Sequence, residues 1–134
     1  MKKYFGYNAA GQAEYILNFA GLISDDAHAH VSEDVKISMQ NYFLYGLEPG
    51  SFVYTMLCND LFSAVYCADI ASRKSIWGMA KWVVESAPMG SYGSKLLVQQ
   101  WCQNTHNIRS NWSDAVIISW EKQKTWETLG AVAP

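Results

Sequence analysis

The segment Leu47 to Asp69, LEPGSFVYTMLCNDLFSAVYCAD, joins a sharp entry signal to the longest near-continuous apolar run of the chain. Proline is preorganised for the first helical position, where its missing N–H is not needed, so Glu48 reads as an N-cap and Pro49 as the first helical residue. A helix is therefore predicted over about residues 49–67. At about 100° per residue, Val53, Leu57, Leu61, Ala64, Val65 and Ala68 share one broad arc, which Tyr54, Cys58 and Phe62 widen. Thr55, Asn59 and Ser63 recur at every fourth residue on the other side, beside Asp60 and among Phe52, Met56 and Tyr66. A helix apolar over so much of its circumference is expected to be the buried centre of the fold. Its polar stripe has two readings. Asn59 and Asp60 hydrogen-bond to nearby backbone and fix the fold, or the stripe lines a groove for a small molecule, a few placed polar groups among rings.

Upstream, Ser32 followed by Glu33 and Asp34 is a helix start, with a hydroxyl cap and acids at the positive end of the dipole. Val35, Met39, Tyr42 and Phe43 then fall at i, i+4, i+7 and i+8, and Gly46 closes an amphipathic helix. Ala13, Ile16, Phe19, Ala20 and Ile23 have helical spacing, with Asn8 as cap and Gly21 as stop, which predicts a short helix over residues 9–20. The run EYILNFAGLI also suits a strand. Between these segments lies SDDAHAH, with Asp25, Asp26, His28 and His30, the one stretch with a metal-ligand composition. Histidines two apart share a face only on a strand, and no further ligand is near, so a solvated linker is expected and no metal site is assigned.

Downstream, Asp69 caps a helix from Ile70 to about Ser86 that Pro88 stops. Its core face is Ile76, Met79, Ala80 and Val83, while Trp77, Trp82 and Val84 point elsewhere; the two tryptophans either pack in the core or sit against a second helix or another subunit. In MGSYGSK, Ser94 reads as the N-cap of a helix carrying Leu96, Leu97 and Trp101. Glycines, hydroxyls and Lys95 at a helix start can also hold a phosphate, although the loop is not G-x-x-x-x-G-K-[ST]. After the polar stretch QNTHNIRS, Ser113 and Asp114 start a last segment with Val116, Ile117, Trp120 and Trp126 that Gly130 ends. It is read as a helix, with VIISW alone open to a strand reading. The result is a single all-α domain of five or six helices joined by short connections.

Composition agrees and excludes several classes. A chain of 134 residues is one domain, able to bury roughly 65–70 % of the surface it exposes unfolded. Only 16 % of residues are charged while 14 % are aromatic, so rings are expected to remain at the surface and self-association follows as the default. A net charge of -2 with scattered basic residues does not suit a nucleic-acid binder, which needs a clustered basic surface. Cys58, Cys67 and Cys102 are odd in number and unpaired in spacing, and read as buried reduced thiols of a cytoplasmic protein. MKKYFGYNAAGQ has no apolar core behind its lysines, and no uncharged 18-residue apolar span follows, so neither a secretory leader nor a membrane helix is expected.

Searching for catalysis finds no G-x-S-x-G, no H-E-x-x-H, no paired cysteine ligands and no glycine-rich turn after a strand. A non-enzyme without a cofactor is the expectation. The residues Gly46, Pro49, Gly50, Ser51 and Phe52, then Asn59, Asp60 and Leu61, then Ala68 and Asp69, form a pattern G-x-x-P-G-S-F, N-D-L, A-D. It resembles a group of small, mostly uncharacterised accessory proteins of tailed phages and prophages, and Pro88, Gly93, Ser94, Val98 and Trp101 echo a later part of that group's pattern. The resemblance spans about residues 40–102 and leaves 1–31 and 104–134 outside. It implies a protein made in an infected bacterial cytoplasm that binds and blocks something of the host's, and it transfers no catalytic residue.

Two functional expectations follow. In the first, the chain sequesters a small nucleotide-like ligand, counteracting antiviral defence. Thr55, Asn59, Asp60, Ser63 and Tyr66 would form the site, joined by Ser94, Lys95 and Arg109 for phosphate. In the second, it is an adaptor or inhibitor that binds a host protein through exposed aromatics such as Trp77, Trp82 or Trp112.

Overall fold

A computed structural model describes residues 6–7, 10–19 and 30–128. Among them the fold is all-α, with six helices: α1 Glu33–Tyr45, α2 Ser51–Leu57, α3 Leu61–Cys67, α4 Ile70–Ser86, α5 Lys95–Cys102 and α6 Ile108–Thr128. A short 3-10 turn, Thr105–Asn107, joins the last two.

The buried centre is α1, not the predicted helix over 49–67. Met39, Tyr42 and Phe43 are fully buried, and Val35, Ile37, Gln40 and Leu44 lie inside as well, so α1 is covered nearly all round. It packs against α2, α5 and α6. Burial of each large side chain contributes roughly 1.5–3 kcal/mol. Tyr42 is anchored through its hydroxyl, which donates to the Ser91 carbonyl at 2.7 Å, and burial holds its pKa far above the ordinary tyrosine range. The Trp101 indole N–H donates to the Tyr42 carbonyl at 3.1 Å and ties α5 to α1.

The predicted helix over 49–67 is two helices. Asn59 adopts the left-handed conformation at φ +62°, and Asp60 then starts α3 by accepting the Ser63 N–H. Asparagine tolerates that region, and aspartate is a strong cap, so N-D works as a stop followed by a start. The entry also differs: Gly50 is the N-cap and Ser51 the first helical residue, two positions beyond the predicted Glu48 and Pro49. Of the predicted arc, Val53, Leu57, Ala64 and Ala68 are buried, whereas Leu61 and Val65 are exposed, because the break turns α3 outward.

The N-terminal segment is not the predicted helix over 9–20. Its described part, residues 10–19, is irregular, with one isolated bridge between Tyr7 and Ala13. The buried amide of Gln40 replaces secondary structure there. Its Oε1 accepts the N–H groups of Ile16 (2.6 Å) and Leu17 (3.0 Å), and its Nε2 donates to the Glu14 carbonyl (3.1 Å). Ile16, Leu17 and Phe19 thereby enter the core, Phe19 against Trp82 with centroids 5.1 Å apart.

The helix α4 has the expected range and cap: Asp69 accepts the Ser72 N–H at 2.7 Å. The Ser72 backbone and hydroxyl hold the Asp69 carboxyl below its usual value. Trp82 belongs to the core, the first of its two readings and not the exposed set, and Ala80 is exposed, while Trp77 and Val84 do point outward. The last helix is longer than predicted. It starts at Ile108, after three left-handed residues, Asn104, His106 and Asn107, so Ser113 is a buried mid-helix residue and not its cap. The Asn104 side chain serves that start instead, accepting the Ser110 N–H at 2.9 Å. Gly130 and Asn8 lie outside the described residues. No helix among the described residues is long and apolar enough to cross a membrane.

Candidate functional site

The predicted polar stripe is spent on local structure. The Thr55 hydroxyl turns back onto the carbonyls of Ser51 (2.7 Å) and Phe52 (3.0 Å), within its own helix. Asn59 forms the break, Asp60 caps α3, and Ser63 supplies the capped amide. Ser94 accepts the Leu97 N–H at 3.1 Å and caps α5, as predicted, and Lys95 follows it at the surface. The Gly93 N–H donates to the Leu57 carbonyl at 2.8 Å, which sets this loop against the end of α2. Burial pushes the Cys58 thiol up, a hydrogen bond with Tyr54 and the charge of Lys95 oppose that, and Asp60 adds to the rise. Lys95, Asp60 and Cys58 therefore share one neighbourhood.

Arg109 is a structural bracket. Its Nε donates to the Trp101 carbonyl at 3.1 Å, near the end of α5, and its Nη1 to the Leu44 carbonyl at 3.4 Å, near the end of α1. The last carbonyls of a helix lack intrahelical donors, and a guanidinium supplies them to two helices at once. Gly46 makes room for it: φ is +67°, and a Cβ there would lie 2.5 Å from Nε. The phosphate role expected for Arg109 would require it to leave this post.

Tyr66 is 92 % exposed, and its surroundings are what the sequence reading missed. Only Ala64 of α3 is buried, while Leu61, Phe62, Val65 and Tyr66 face outward at i, i+1, i+4 and i+5. This seven-residue helix, LFSAVYC, packs against α2 and presents an uncharged apolar face. The signal for it was the N-D pair, which ends one helix and starts another and so resets the face that points inward.

Two concavities adjoin the core. One, of about 290 Å³, lies where α1, α2 and α4 begin and includes Ser32, Asp34, Ser51, Cys67, Asp69 and Ser72. Cys67 is exposed rather than buried as expected, and all three cysteines are free thiols. Burial raises Cys102, Glu48 adds to it and Arg109 opposes it. The other, a groove of about 560 Å³, has Trp112, Trp120, Ser86, Ser119 and Gln123 on its walls and Trp82 at its floor. None of the residues predicted for a ligand lies in it. Among the described residues no group of three or more His, Cys, Asp or Glu is placed to hold a metal ion. Asp25, Asp26 and His28 lie outside them, and His30 is exposed.

The residues of the pattern are mostly punctuation. Gly46 ends α1, Gly50 precedes α2, Asn59 and Asp60 separate α2 from α3, Ala68 and Asp69 separate α3 from α4, and Ser94 starts α5. Phe52 and Trp101 supply core. Comparison with protein-family models, with curated proteins and with solved structures finds no match.

Proposed function

We propose that the chain is a non-catalytic binding protein that engages another protein through the apolar face of α3. The observation that carries this reading is that Phe62 and Tyr66 are 89 % and 92 % exposed on a helix that buries only Ala64. Contiguous exposed apolar surface marks interaction sites, and aromatic anchors supply much of the energy at interfaces. The face has no charge of its own, so the partner that fits it offers a complementary apolar groove. In the infected bacterial cytoplasm that the resemblance to phage accessory proteins implies, that partner is a host protein, which the chain recruits or inhibits. The exposed aromatics that carry this are Phe62 and Tyr66, in place of Trp82 and Trp112.

The test is affinity capture from bacterial lysate with the wild-type chain and with Phe62→Asp combined with Tyr66→Asp. A stoichiometric protein retained by the wild type and reduced at least about tenfold with the variant is expected, since aromatic anchors carry about 2 kcal/mol or more each. Equal retention by both chains, or none by either, counts against the proposal.

A second reading, sequestration of a nucleotide-like ligand, is favoured by the tryptophan-walled groove. Its volume of about 560 Å³ suits a small molecule, and the Trp112 and Trp120 rings could stack on a base between the hydroxyls of Ser86 and Ser119. A panel of cyclic nucleotides would then raise the melting temperature by mass action, about 2.7 kcal/mol of stabilisation at a hundredfold excess over Kd. No shift with any member removes this reading.

A further inference from the structure

We infer that the groove beside Trp82, Trp112 and Trp120 takes an uncharged nucleoside, reading its base and sugar and offering nothing to a phosphate. This rests on the second reading above, in which the groove holds a ligand, and names that ligand's class. No residue that lines the groove is charged. Its rings and aliphatic side chains give it apolar walls that suit the face of a heteroaromatic base, because stacking on an aromatic ring needs only a π-face. Among its polar groups, the hydroxyls of Ser86 and Ser119 and the amide of Gln123 are exposed. Each of them both donates and accepts hydrogen bonds, which matches the mixed edge of a base and the hydroxyls of a sugar.

Anions are held by guanidinium or ammonium groups, or by the free N–H groups of a helix start. Among the described residues the groove has neither. Ser86 is the last residue of α4, so the end of that helix nearest the groove carries its carbonyls and the negative pole of its dipole. On α6 the lining residues begin at Trp112, a full turn past the start of that helix at Ile108. The N–H groups of Ile16 and Leu17, on the remaining wall, are already taken by Gln40. The cations expected for a phosphate are engaged elsewhere, Arg109 with the Trp101 and Leu44 carbonyls and Lys95 beside Cys58 and Asp60. Lys124 adjoins the groove, yet its ammonium lies over the Trp120 ring, 5.6 Å from the centroid, and is partnered there.

Isothermal titration calorimetry of the full chain at low salt tests it, with adenosine, guanosine, cytidine and uridine, each beside its monophosphate and its cyclic monophosphate. At least one nucleoside is expected to bind, and its two phosphate forms to bind no more than about threefold tighter. Gln123→Lys places an ammonium on the wall and is expected to raise the preference for the monophosphate about threefold or more. Ala115→Leu adds bulk to the wall and should weaken nucleoside binding about tenfold or more. Both positions are exposed, so circular dichroism should find both variants folded. A phosphate form more than about threefold tighter than its nucleoside in the wild type, or a preference that Gln123→Lys leaves unchanged, overturns the inference while the groove remains a ligand site. Binding that Ala115→Leu leaves unchanged overturns the inference as well, because the ligand then lies elsewhere. No binding by any of the compounds removes the ligand-site reading and the inference with it.

Discussion

Replacing Gln40 by leucine is expected to lower stability by about 2–4 kcal/mol, because it strips partners from buried backbone groups while keeping the side chain's bulk. Gln40 is fully buried, and it is the one side chain that accepts the amides of Ile16 and Leu17 and donates to the Glu14 carbonyl. Leucine leaves two donors and one acceptor in a dry interior. The segment that carries Ile16, Leu17 and Phe19 is held to α1 by this amide together with apolar contact, so its detachment also removes Phe19 from Trp82. Urea denaturation measures the loss, and limited proteolysis near residue 15 should become faster. A change within about 0.5 kcal/mol would mean that the segment is held without Gln40, by apolar burial and the Trp82 indole N–H that donates to the Asn18 carbonyl at 3.0 Å.

The second large effect is at Arg109. Methionine there keeps the apolar stem but removes the donor to the Leu44 carbonyl and one of the donors to the Trp101 carbonyl, which still accepts the Asn104 N–H at 3.1 Å, at a cost of about 1–3 kcal/mol. Lysine is expected to recover less than half of that loss, since a single ammonium cannot direct donors along the two fixed directions a guanidinium offers. Chemical denaturation of the two variants decides it. Equal stability of the lysine variant and the wild type would mean that charge alone, without the fork, satisfies both helix ends.

How much of this was readable from the sequence depends on whether the determining contact is local. Ser32, Asp69 and Ser94 were identified as caps because a cap acts on an amide three residues away, and all three accept that hydrogen bond. The outward direction of Trp77 and Val84 followed from helical spacing. The break at Asn59 was local too, yet the apolar run through it outweighed the N-D signal in a reading based on periodicity. Residues 10–19 were misread for the opposite reason: their spacing is helical, but Gln40, more than twenty positions later, takes their amides. Trp82 was left between core and surface because nothing near it in sequence announces Phe19 and Phe43 as its neighbours.

The candidate site was less legible than the fold. Asn59, Asp60, Ser63 and Ser94 are polar residues near loops, and such residues serve caps and turns as readily as ligands. Arg109 looked available because the carbonyls it serves lie at the ends of two helices, one of them 65 positions away. Leu61 and Val65 became surface only through the turn that precedes them. The exposed face of α3 thus arises from a backbone event, and hydrophobicity alone assigned it to the core.

A photo-reactive phenylalanine analogue in place of Tyr66, with the same group at Lys122 on α6 as the control, tests the central claim most directly. Both positions are exposed, so neither replacement should disturb the fold. Irradiated in bacterial cells, the chain labelled at position 66 is expected to form one discrete adduct with a host protein, and the chain labelled at 122 none. No adduct from position 66, or the same products from both positions, would contradict the assignment of α3 as the docking face.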